Sequence, residues 1–328
     1  MDLELLHQLQ GTKKDQWVRF LKRQGLEADL SVESTVLVWE DGDLIATASR
    51  QDNVLKCIAI DPAFQGEGLT ATLLTQLRQE AFDKGLRHLF LYTKPRNQTM
   101  FSSLFFYPVA KTDQVLLMEN KKDGITEFVS SLPVPKKDGV IGAVVMNCNP
   151  FTRGHRYLIE TAASQCDWLY VFVLSEDKSY FPAADRLELV RQGTADLNNV
   201  TVYPTGPYLI SSATFPTYFL KDREQFETAH CQLDIEVFTR YFVPHFGITR
   251  RFVGSEPLSP LTNQYNEALS AHLPAKGVEL EILSRVENDV GPISASAVRA
   301  LLGQNQPEKL RTLVPDTTFE YLYSHKMI

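Results

Sequence analysis

The sequence predicts an α/β protein with two domains: a mixed α/β domain followed by a doubly wound, Rossmann-like domain with a parallel sheet. Three observations support this fold class. The chain has 328 residues, whereas one domain usually takes roughly 100 to 200. Hairpin-type strand patterns fill the first half, and strands alternate with helices in the second. A stretch rich in lysine, proline and glycine, Asn120 to Gly139, separates the halves, so we place the domains at residues 1–130 and 131–328.

The first half contains a β-hairpin. Residues 35–40 and 44–50 are rich in apolar and β-branched side chains, and Asp41-Gly42-Asp43 between them is a typical turn sequence. A third strand over residues 54–60 follows. These strands predict an antiparallel portion of a mixed sheet.

The hairpin strands are followed by a helix and further strands. Leu69 to Lys84 has apolar residues at spacings of three and four, which predicts a helix, with Gly85 as its C-cap. We then predict a strand, a short helix and a closing strand, over residues 88–93, 98–105 and 114–119.

The second half alternates between the two kinds of element. Continuous apolar strands separated by helices indicate a parallel sheet, whose ligands bind at the carboxyl ends of the strands. The predicted strands cover residues 140–146, 168–174, 201–203, 250–253 and 279–283, and the helices cover 156–166, 184–194, 263–272 and the chain from Ser294 onward.

Composition limits the classes of partner and site. The net charge of -7 gives no basic surface for long nucleic acid. The four cysteines lack the paired spacing of a disulfide framework or a zinc site, so we predict no protein metal site. No run approaches the roughly 20 apolar residues of a membrane span. We therefore expect a cytoplasmic protein without a membrane or nucleic-acid partner.

The segment Asn147-Cys148-Asn149-Pro150-Phe151-Thr152-Arg153-Gly154-His155 lies at a predicted strand-to-helix crossover. A helix N-terminus presents free amides that suit phosphate, and Gly154 would let the backbone approach a ligand closely. His155 can donate to a phosphoryl oxygen; the alternative is a structural histidine. Cys148 is not needed as a nucleophile for an in-line displacement. This pattern predicts a phosphate site.

A second segment, Gly291 to Arg299, opens a later helix with two hydroxyls and a cation. Ser296 and Arg299 are three residues apart, on one face of that helix, and can form a second phosphate site. Ser294 is also a good N-cap, which is the structural alternative.

The two motifs resemble those of the nucleotidylyltransferase superfamily, with Thr152 at the first position of a pattern that often reads His-x-Gly-His. Residues 147–155, together with 210–222 and 251–257, resemble the citrate lyase ligase family over nearly the whole second half. That family acetylates the thiol of a prosthetic group derived from dephospho-coenzyme A, which is carried by the acyl carrier subunit of citrate lyase. It uses ATP and acetate for this reaction.

The resemblance implies a set of site residues, and the phosphate chemistry implies Mg²⁺. The predicted catalytic residues are His155, Lys178, Arg186 and Arg299. Lys178 and Arg186 follow the second strand of the parallel sheet; the alternative for each is a solvated surface charge. The predicted ATP-binding residues are Asn147, Asn149, Pro150, Phe151, Thr152, Gly154, His155, Gly254, Glu256, Ser294, Ser296 and Arg299.

The loop Gln65-Gly66-Glu67-Gly68-Leu69-Thr70 in the first half resembles the pyrophosphate loop of GNAT acetyltransferases. Loop amides at a helix start would hold the pyrophosphate of a coenzyme-A-like arm, with Gln65, Gly66, Gly68 and Thr70 as the contacts. Thr70 stands where that family has Gly or Ala, and Phe105 replaces a usual Gly. The alternative is a glycine-containing turn without a ligand.

Three functions remain open at this point. The first is the acid-thiol ligase, which the segment over residues 211–222 favours. The second is a nucleotidylyltransferase of the phosphopantetheine adenylyltransferase type. The third is an acetyl-CoA-dependent N-acetyltransferase with a regulatory nucleotide-binding domain.

Overall fold

The computed structural model describes residues 1–177, 179–209, 223–255, 260–285, 287–288, 291–304 and 306–328. Contacts divide the chain into two units, one of Met1–Gly124 with Ser212–Glu236 and the other of Ile125–Ser211 with Val237–Ile328. In the described parts of the chain, no helix is both long enough and apolar enough to cross a membrane.

The first unit is built on a seven-stranded mixed sheet with the order β1-β2-β3-β4-β5-β7-β6. Its pairs are antiparallel except for β4 and β5, which are parallel. The elements are β1 (Asp2–His7), α1 (Gly11–Arg23), β2 (Ser34–Glu40), β3 (Asp43–Gln51), β4 (Val54–Ile60), α2 (Leu69–Asp83), β5 (Phe90–Thr93), α3 (Gln98–Ser103), β6 (Tyr107–Lys111) and β7 (Leu116–Glu119).

The hairpin between β2 and β3 turns at Asp41 and Gly42, which have φ angles of 51° and 87°. Positive φ at both residues of a two-residue loop fits the twist of the paired strands, which explains the Asp-Gly sequence there. Helix α2 covers one face of the sheet with Leu73, Leu74 and Leu77, all buried in the core. The predicted hairpin and helix are therefore in the structure.

The remaining elements, in chain order, are α4 (Gly124–Ser130), β8 (Ile141–Met146), α5 (Arg153–Ala163), β9 (Trp168–Val173), α6 (Ala183–Gly193), β10 (Val200–Pro204), α7 (Arg223–Val237), α8 (Val243–Phe246), β11 (Arg250–Gly254), α9 (Pro260–His272), β12 (Glu279–Leu283), β13 (Glu287–Asn288), β14 (Gly291–Pro292), α10 (Ala295–Leu301), α11 (Pro307–Leu313) and α12 (Asp316–Ser324).

The second unit contains a five-stranded sheet with the order β10-β9-β8-β11-β12. All four pairings in it are parallel. After β8, the chain adds β9 and β10 on one side of the sheet, and it then adds β11 and β12 on the other side. The order therefore reverses between β8 and β11, and in such sheets ligands bind at the carboxyl ends of the strands beside this reversal. The predicted doubly wound domain is confirmed.

Some element boundaries differ from those predicted. Helix α5 begins at Arg153, three residues earlier than expected, because Thr152 caps it. Strand β1, helix α1 and strand β6 have no counterpart among the predicted elements. Gly85 follows the C-cap of α2 at a φ of 79°, a conformation in which glycine commonly ends a helix.

Candidate functional site

The loop between β8 and α5 lies at the carboxyl end of β8, beside the reversal of strand order. Thr152 is the N-cap of α5: its Oγ1 accepts from the backbone N–H of His155 at 3.3 Å. In return, the backbone N–H of Thr152 donates to Nδ1 of His155 at 3.1 Å. This reciprocal pair satisfies two backbone donors at the helix start and holds the imidazole in place.

The cap also determines the tautomer of His155. A backbone N–H can only donate, so Nδ1 is the acceptor and the ring proton of the neutral imidazole is on Nε2. Burial and, to a smaller extent, the positive charge of Arg285 together lower the pKa of His155 to about 4. At neutral pH, the side chain of His155 is therefore uncharged, and its one ring N–H donor is Nε2–H.

Gly154 permits a close approach between two parts of the chain. A Cβ atom at this position would lie 3.0 Å from the carbonyl oxygen of Ile293 and 3.7 Å from its Cβ. The sequence interpretation assigned this glycine to the approach of a ligand. In the structure, its close neighbour is the backbone of the second motif, at Ile293.

The second motif begins with a capped helix. Ser294 is the N-cap of α10, and its Oγ accepts from the backbone N–H of Ala297 at 3.1 Å. Ser296 is exposed, and its Oγ accepts from Nη2 of Arg299 at 3.1 Å. Nη1 of Arg299 donates to the carbonyl oxygen of Asn149. The two predicted phosphate motifs are thus joined by a direct hydrogen bond.

Arg186, on α6, is completely buried. Its Nε donates to the carbonyl of Phe181 at 3.0 Å, and Nη1 donates to the carbonyl and side-chain oxygens of Asn147 at 2.8 and 2.5 Å. Nη2 donates to the carbonyl of Glu176. Burial lowers the pKa of this guanidinium. Its donors are directed to protein acceptors, an arrangement different from the phosphate contact expected from the sequence.

Two more predicted site residues have structural contacts. Oδ1 of Asn149 accepts from the backbone N–H of Phe181 at 3.0 Å. Phe151 is fully buried in the core, and a Cβ on Gly193 would lie only 2.4 Å from its ring. Pro150, between them, is also buried. These residues therefore fix the shape of the loop from within.

Gly254 ends β11 on the other side of the reversal of strand order. Its carbonyl accepts from Nδ2 of Asn266 at 3.1 Å, and a Cβ at this glycine would have no atom of the described residues within 4 Å. Among these residues, the backbone here leaves space at the edge where a ligand is expected. Lys178, Glu256 and the segment over residues 210–222 lie outside the described residues.

Arg285 is a cation that the sequence interpretation did not single out. It follows β12, its Nε donates to the carbonyl of Ser255 at 2.8 Å, and its charge acts on His155. The sequence feature that could have identified it is its position, two residues after the carboxyl end of a predicted parallel strand. In α/β proteins, ligand-binding groups commonly lie at these strand ends.

The first unit has a cavity of about 560 Å³. It lies where β4 and β5 diverge, since these strands pair only at Val54–Phe90 and Leu55–Leu91. Gln65, Gly66 and Thr70 line it, so three of the four predicted loop residues border one space, together with Lys94 and Arg96. Gly68 is the N-cap of α2, with a φ of 77°. Among the described residues that line this cavity, none carries a carboxylate.

Two family models match the chain. The model described as citrate lyase ligase C-terminal domain matches residues 141–322, and that of the acetyltransferase (GNAT) family matches residues 4–102. Among solved structures, an acyl-CoA N-acyltransferase from Pseudomonas aeruginosa is 19% identical with a TM-score of 0.32, over 37% of this chain and 99% of that one. Thermotoga maritima TmcAL bound with alpha-thio ATP is 16% identical with a TM-score of 0.36, over 58% of this chain and 56% of that one.

Full-length relatives are far more similar. The [citrate [pro-3S]-lyase] ligase of Klebsiella pneumoniae is 44% identical over 310 residues, which are 93% of this chain and 91% of that protein. The enzyme of the same name from Escherichia coli strain K12 is 40% identical over 320 residues, 95% of this chain and 91% of that protein. With this identity over nearly the whole length, and with the domain match in the second half, the chain belongs to the citrate lyase ligase family of enzymes.

Proposed function

We propose that the chain is an AMP-forming acid-thiol ligase that activates acetate with ATP. It then acetylates the thiol of the prosthetic group on the acyl carrier subunit of citrate lyase. The names of its relatives support a ligase that acts on citrate lyase. The observation that carries the nucleotide site is the hydrogen bond from Arg299 to the carbonyl of Asn149, because it brings the two phosphate motifs together.

In the first step, a carboxylate oxygen of acetate attacks the α-phosphorus of ATP. The bond from that phosphorus to the bridging oxygen breaks, pyrophosphate leaves, and acetyl-adenylate remains. Nε2–H of His155 and the guanidinium of Arg299 are suited to stabilise the charge that develops on the phosphoryl oxygens. A neutral imidazole can act as a donor here without requiring protonation.

Magnesium fits this chemistry as an ion carried by the nucleotide. The described residues contain no group of three or more His, Cys, Asp or Glu side chains that could hold a metal ion. Mg²⁺ commonly binds through substrate phosphates with only one or two carboxylates, where it neutralises phosphate charge. The residues of this chain would then orient the phosphates rather than enclose the ion.

In the second step, the carrier thiol, as thiolate, attacks the acetyl carbonyl carbon. The bond to the adenylate oxygen breaks, AMP leaves, and a thioester forms. We assign the cavity of the first unit to the coenzyme-A-like arm of the carrier, with Gln65, Gly66, Gly68 and Thr70 at its phosphates. Lys94 and Arg96 add positive charge beside this cavity. Since no carboxylate of the described residues lines it, arm binding is favoured there over base-assisted acetylation of an amine.

ATP-pyrophosphate exchange tests this function. Exchange of labelled pyrophosphate into ATP that requires acetate is the expected result. Exchange that requires a phosphate-bearing acceptor instead would indicate an adenylyltransferase. Acetyl transfer from acetyl-CoA to an amine without ATP would indicate an acetyltransferase, and either outcome would overturn the ligase proposal.

A further inference from the structure

Arg186 and Asn147 form an unusual pair of one fully buried cation and one exposed amide. Arg186 has no exposed surface, whereas Asn147 is exposed at the carboxyl end of β8. The same Nη1 group of Arg186 binds both the carbonyl oxygen and the side-chain oxygen of Asn147, at 2.8 and 2.5 Å. Two bonds from one nitrogen fix the side-chain torsions of Asn147 relative to its own backbone.

This contact fixes the direction of the Asn147 amide. A guanidinium has five N–H donors and no acceptor, so the atom of Asn147 that faces it must be Oδ1. Nδ2, with its two N–H donors, is then the end of the amide on the side away from the buried arginine. Its one protein contact among the described residues is a weak one, to Oγ of Ser179 at 3.3 Å.

The same guanidinium holds the neighbouring loop. It donates to the carbonyls of Glu176 and Phe181, which lie in the connection between β9 and α6. The described acceptors of Arg186 are backbone carbonyls and the side-chain oxygen of Asn147, and the negative charges of Asp177 and Glu176 also act on it. Burying a cation costs free energy, and the acceptors that bind this one all lie in the loops at the carboxyl edge of the parallel sheet.

We propose that Arg186 is a positioning residue for the reaction proposed above. It sets the amide of Asn147 so that Nδ2 donates to an anionic oxygen of the substrate beside the reversal of strand order. Arg186 itself does not touch the substrate. The oxygen bound by Nδ2 belongs either to the carboxylate of the acid or to a phosphoryl group of ATP. Both are anionic oxygens that accept a hydrogen bond from an N–H donor.

A double-mutant cycle tests this relationship with acetate-dependent exchange. The proteins are the wild type, Arg186→Lys, Asn147→Ala and the double variant. Lys keeps the charge but lacks the planar group whose other two nitrogens, held by the carbonyls of Phe181 and Glu176, fix Nη1 at the two oxygens of Asn147. We expect each single variant to lose about 10- to 100-fold in kcat/KM, as for a lost hydrogen bond to a charged group. We expect the double variant to be about as active as Asn147→Ala, because both changes remove the same donor.

Asn147→Asp is the sharper variant, because it keeps an oxygen for Arg186 and replaces the outward N–H donors with an acceptor. We expect its melting temperature to match that of the wild type, while exchange falls at least about tenfold. A higher KM for acetate would assign the bound oxygen to the acid, and a higher KM for ATP would assign it to the nucleotide. Ser179→Ala removes the two weak contacts of its Oγ with Nδ2 and Oδ1, both at 3.3 Å, keeps the bonds from Arg186, and should exchange at the wild-type rate.

Two results would overturn this role for Arg186. One is a double variant whose loss equals the product of the two single losses, which indicates independent structural effects. The other is wild-type exchange in Asn147→Asp. Failure of the proposed reaction looks different: the wild type itself would show no acetate-dependent exchange. In that case, the ATP dissociation constants of the same four proteins, measured by calorimetry, would decide whether Arg186 acts through Asn147. Independent losses of ATP affinity in the two single variants would again refute this role.

Discussion

Arg299 donates a hydrogen bond to the carbonyl oxygen of Asn149, a residue 150 positions earlier in the chain. Its other terminal nitrogen holds Oγ of Ser296 at 3.1 Å. The guanidinium therefore joins helix α10 to the loop after β8, and its planar fork allows it to hold both partners while still presenting N–H groups to a phosphate.

We expect Arg299→Ala to lower acetate-dependent ATP-pyrophosphate exchange by about 100- to 1000-fold, the usual cost of one preorganised donor to developing charge. Arg311→Ala is the matched control, since it removes an exposed arginine of the C-terminal helices that lies over the ring of Phe319. It should keep wild-type exchange. Near-wild-type exchange in Arg299→Ala would refute the assignment of this arginine to the site.

The ionisation of His155 provides a test that needs no substrate. Its pKa is lowered to about 4 from an unperturbed value of 6.5, first by burial and then by Arg285. The unfolded chain therefore binds this proton more readily than the folded one, and His155 costs stability as the pH falls from about 6.5 to about 4. Long-range ¹H-¹⁵N NMR should show a neutral Nε2–H imidazole from pH 8 to 5. Arg285→Gln should raise this pKa, and a midpoint near 6.5 in the wild type would contradict the burial argument.

His155 has two roles that different substitutions can separate. His155→Ala removes both the phosphate donor and the acceptor for the N–H of Thr152, so it should lower exchange and also destabilise α5 by about 0.5 to 2 kcal/mol. Glutamine at this third helix position can complete the cap by accepting from the N-cap N–H. His155→Gln should therefore melt near the wild-type temperature and still exchange at least about tenfold more slowly. Equal melting temperatures for the two variants would mean that the cap contributes little.

The sequence predicted the elements whose patterns are strong and missed those whose patterns are weak. Strands β8 and β9 are continuous apolar runs, and the alternation of strands and helices put the motif loop at the edge where ligands are expected. Helix α1 was missed because Gln10 gives it no side-chain cap, although Trp17, Phe20 and Leu21 have helical spacing and are buried. Strand β1 has no clean alternation of apolar and polar residues.

The sequence predicts one site for residues 147–155 and 291–299. In the structure, the hydrogen bond from Arg299 to Asn149 joins these two segments, while their role in binding a ligand stays a prediction. The contacts of Arg186 with carbonyl oxygens could not be predicted from the sequence, because every residue type has a backbone carbonyl and the residue type therefore does not indicate which one is bound. For the same reason the sequence interpretation assigned Gly154 to a ligand rather than to the carbonyl of Ile293.

Gly154 and Gly254 should respond differently to alanine. A methyl at Gly154 would lie 3.0 Å from the carbonyl of Ile293, whereas one at Gly254 would meet no atom of the described residues within 4 Å. We expect Gly154→Ala to destabilise the second unit by about 1 to 3 kcal/mol, because α10 must shift away from the loop. Gly254→Ala should leave the unfolding free energy without ligand within about 0.5 kcal/mol of the wild type. Denaturant unfolding checks both, and equal stabilities would show that the backbone relaxes freely at Gly154.

The two glycines of the first-unit loop are poor sites for testing whether it binds the carrier arm. Gly66 and Gly68 have φ angles of 95° and 77°, so any side chain there strains the backbone whether or not a ligand binds. The expected effect of Gly68→Glu, loss of transfer to the carrier with exchange retained, would be mixed with that strain. Thr70 borders the same cavity from the first turn of α2 and is free of this problem.

Thr70→Glu should therefore lower acetyl transfer to the carrier while leaving acetate-dependent exchange at the wild-type rate. A carboxylate at this position repels the phosphates of the arm and occupies their space, whereas the exchange reaction needs no carrier. Thr75→Glu is the matched control, because it makes the same change on an exposed position of the same helix, away from the residues that line the cavity. It should leave both half-reactions unchanged. Equal transfer by the Thr70 and Thr75 variants would mean that this cavity does not hold the arm, and loss of both half-reactions in Thr70→Glu would indicate misfolding or coupling between the units.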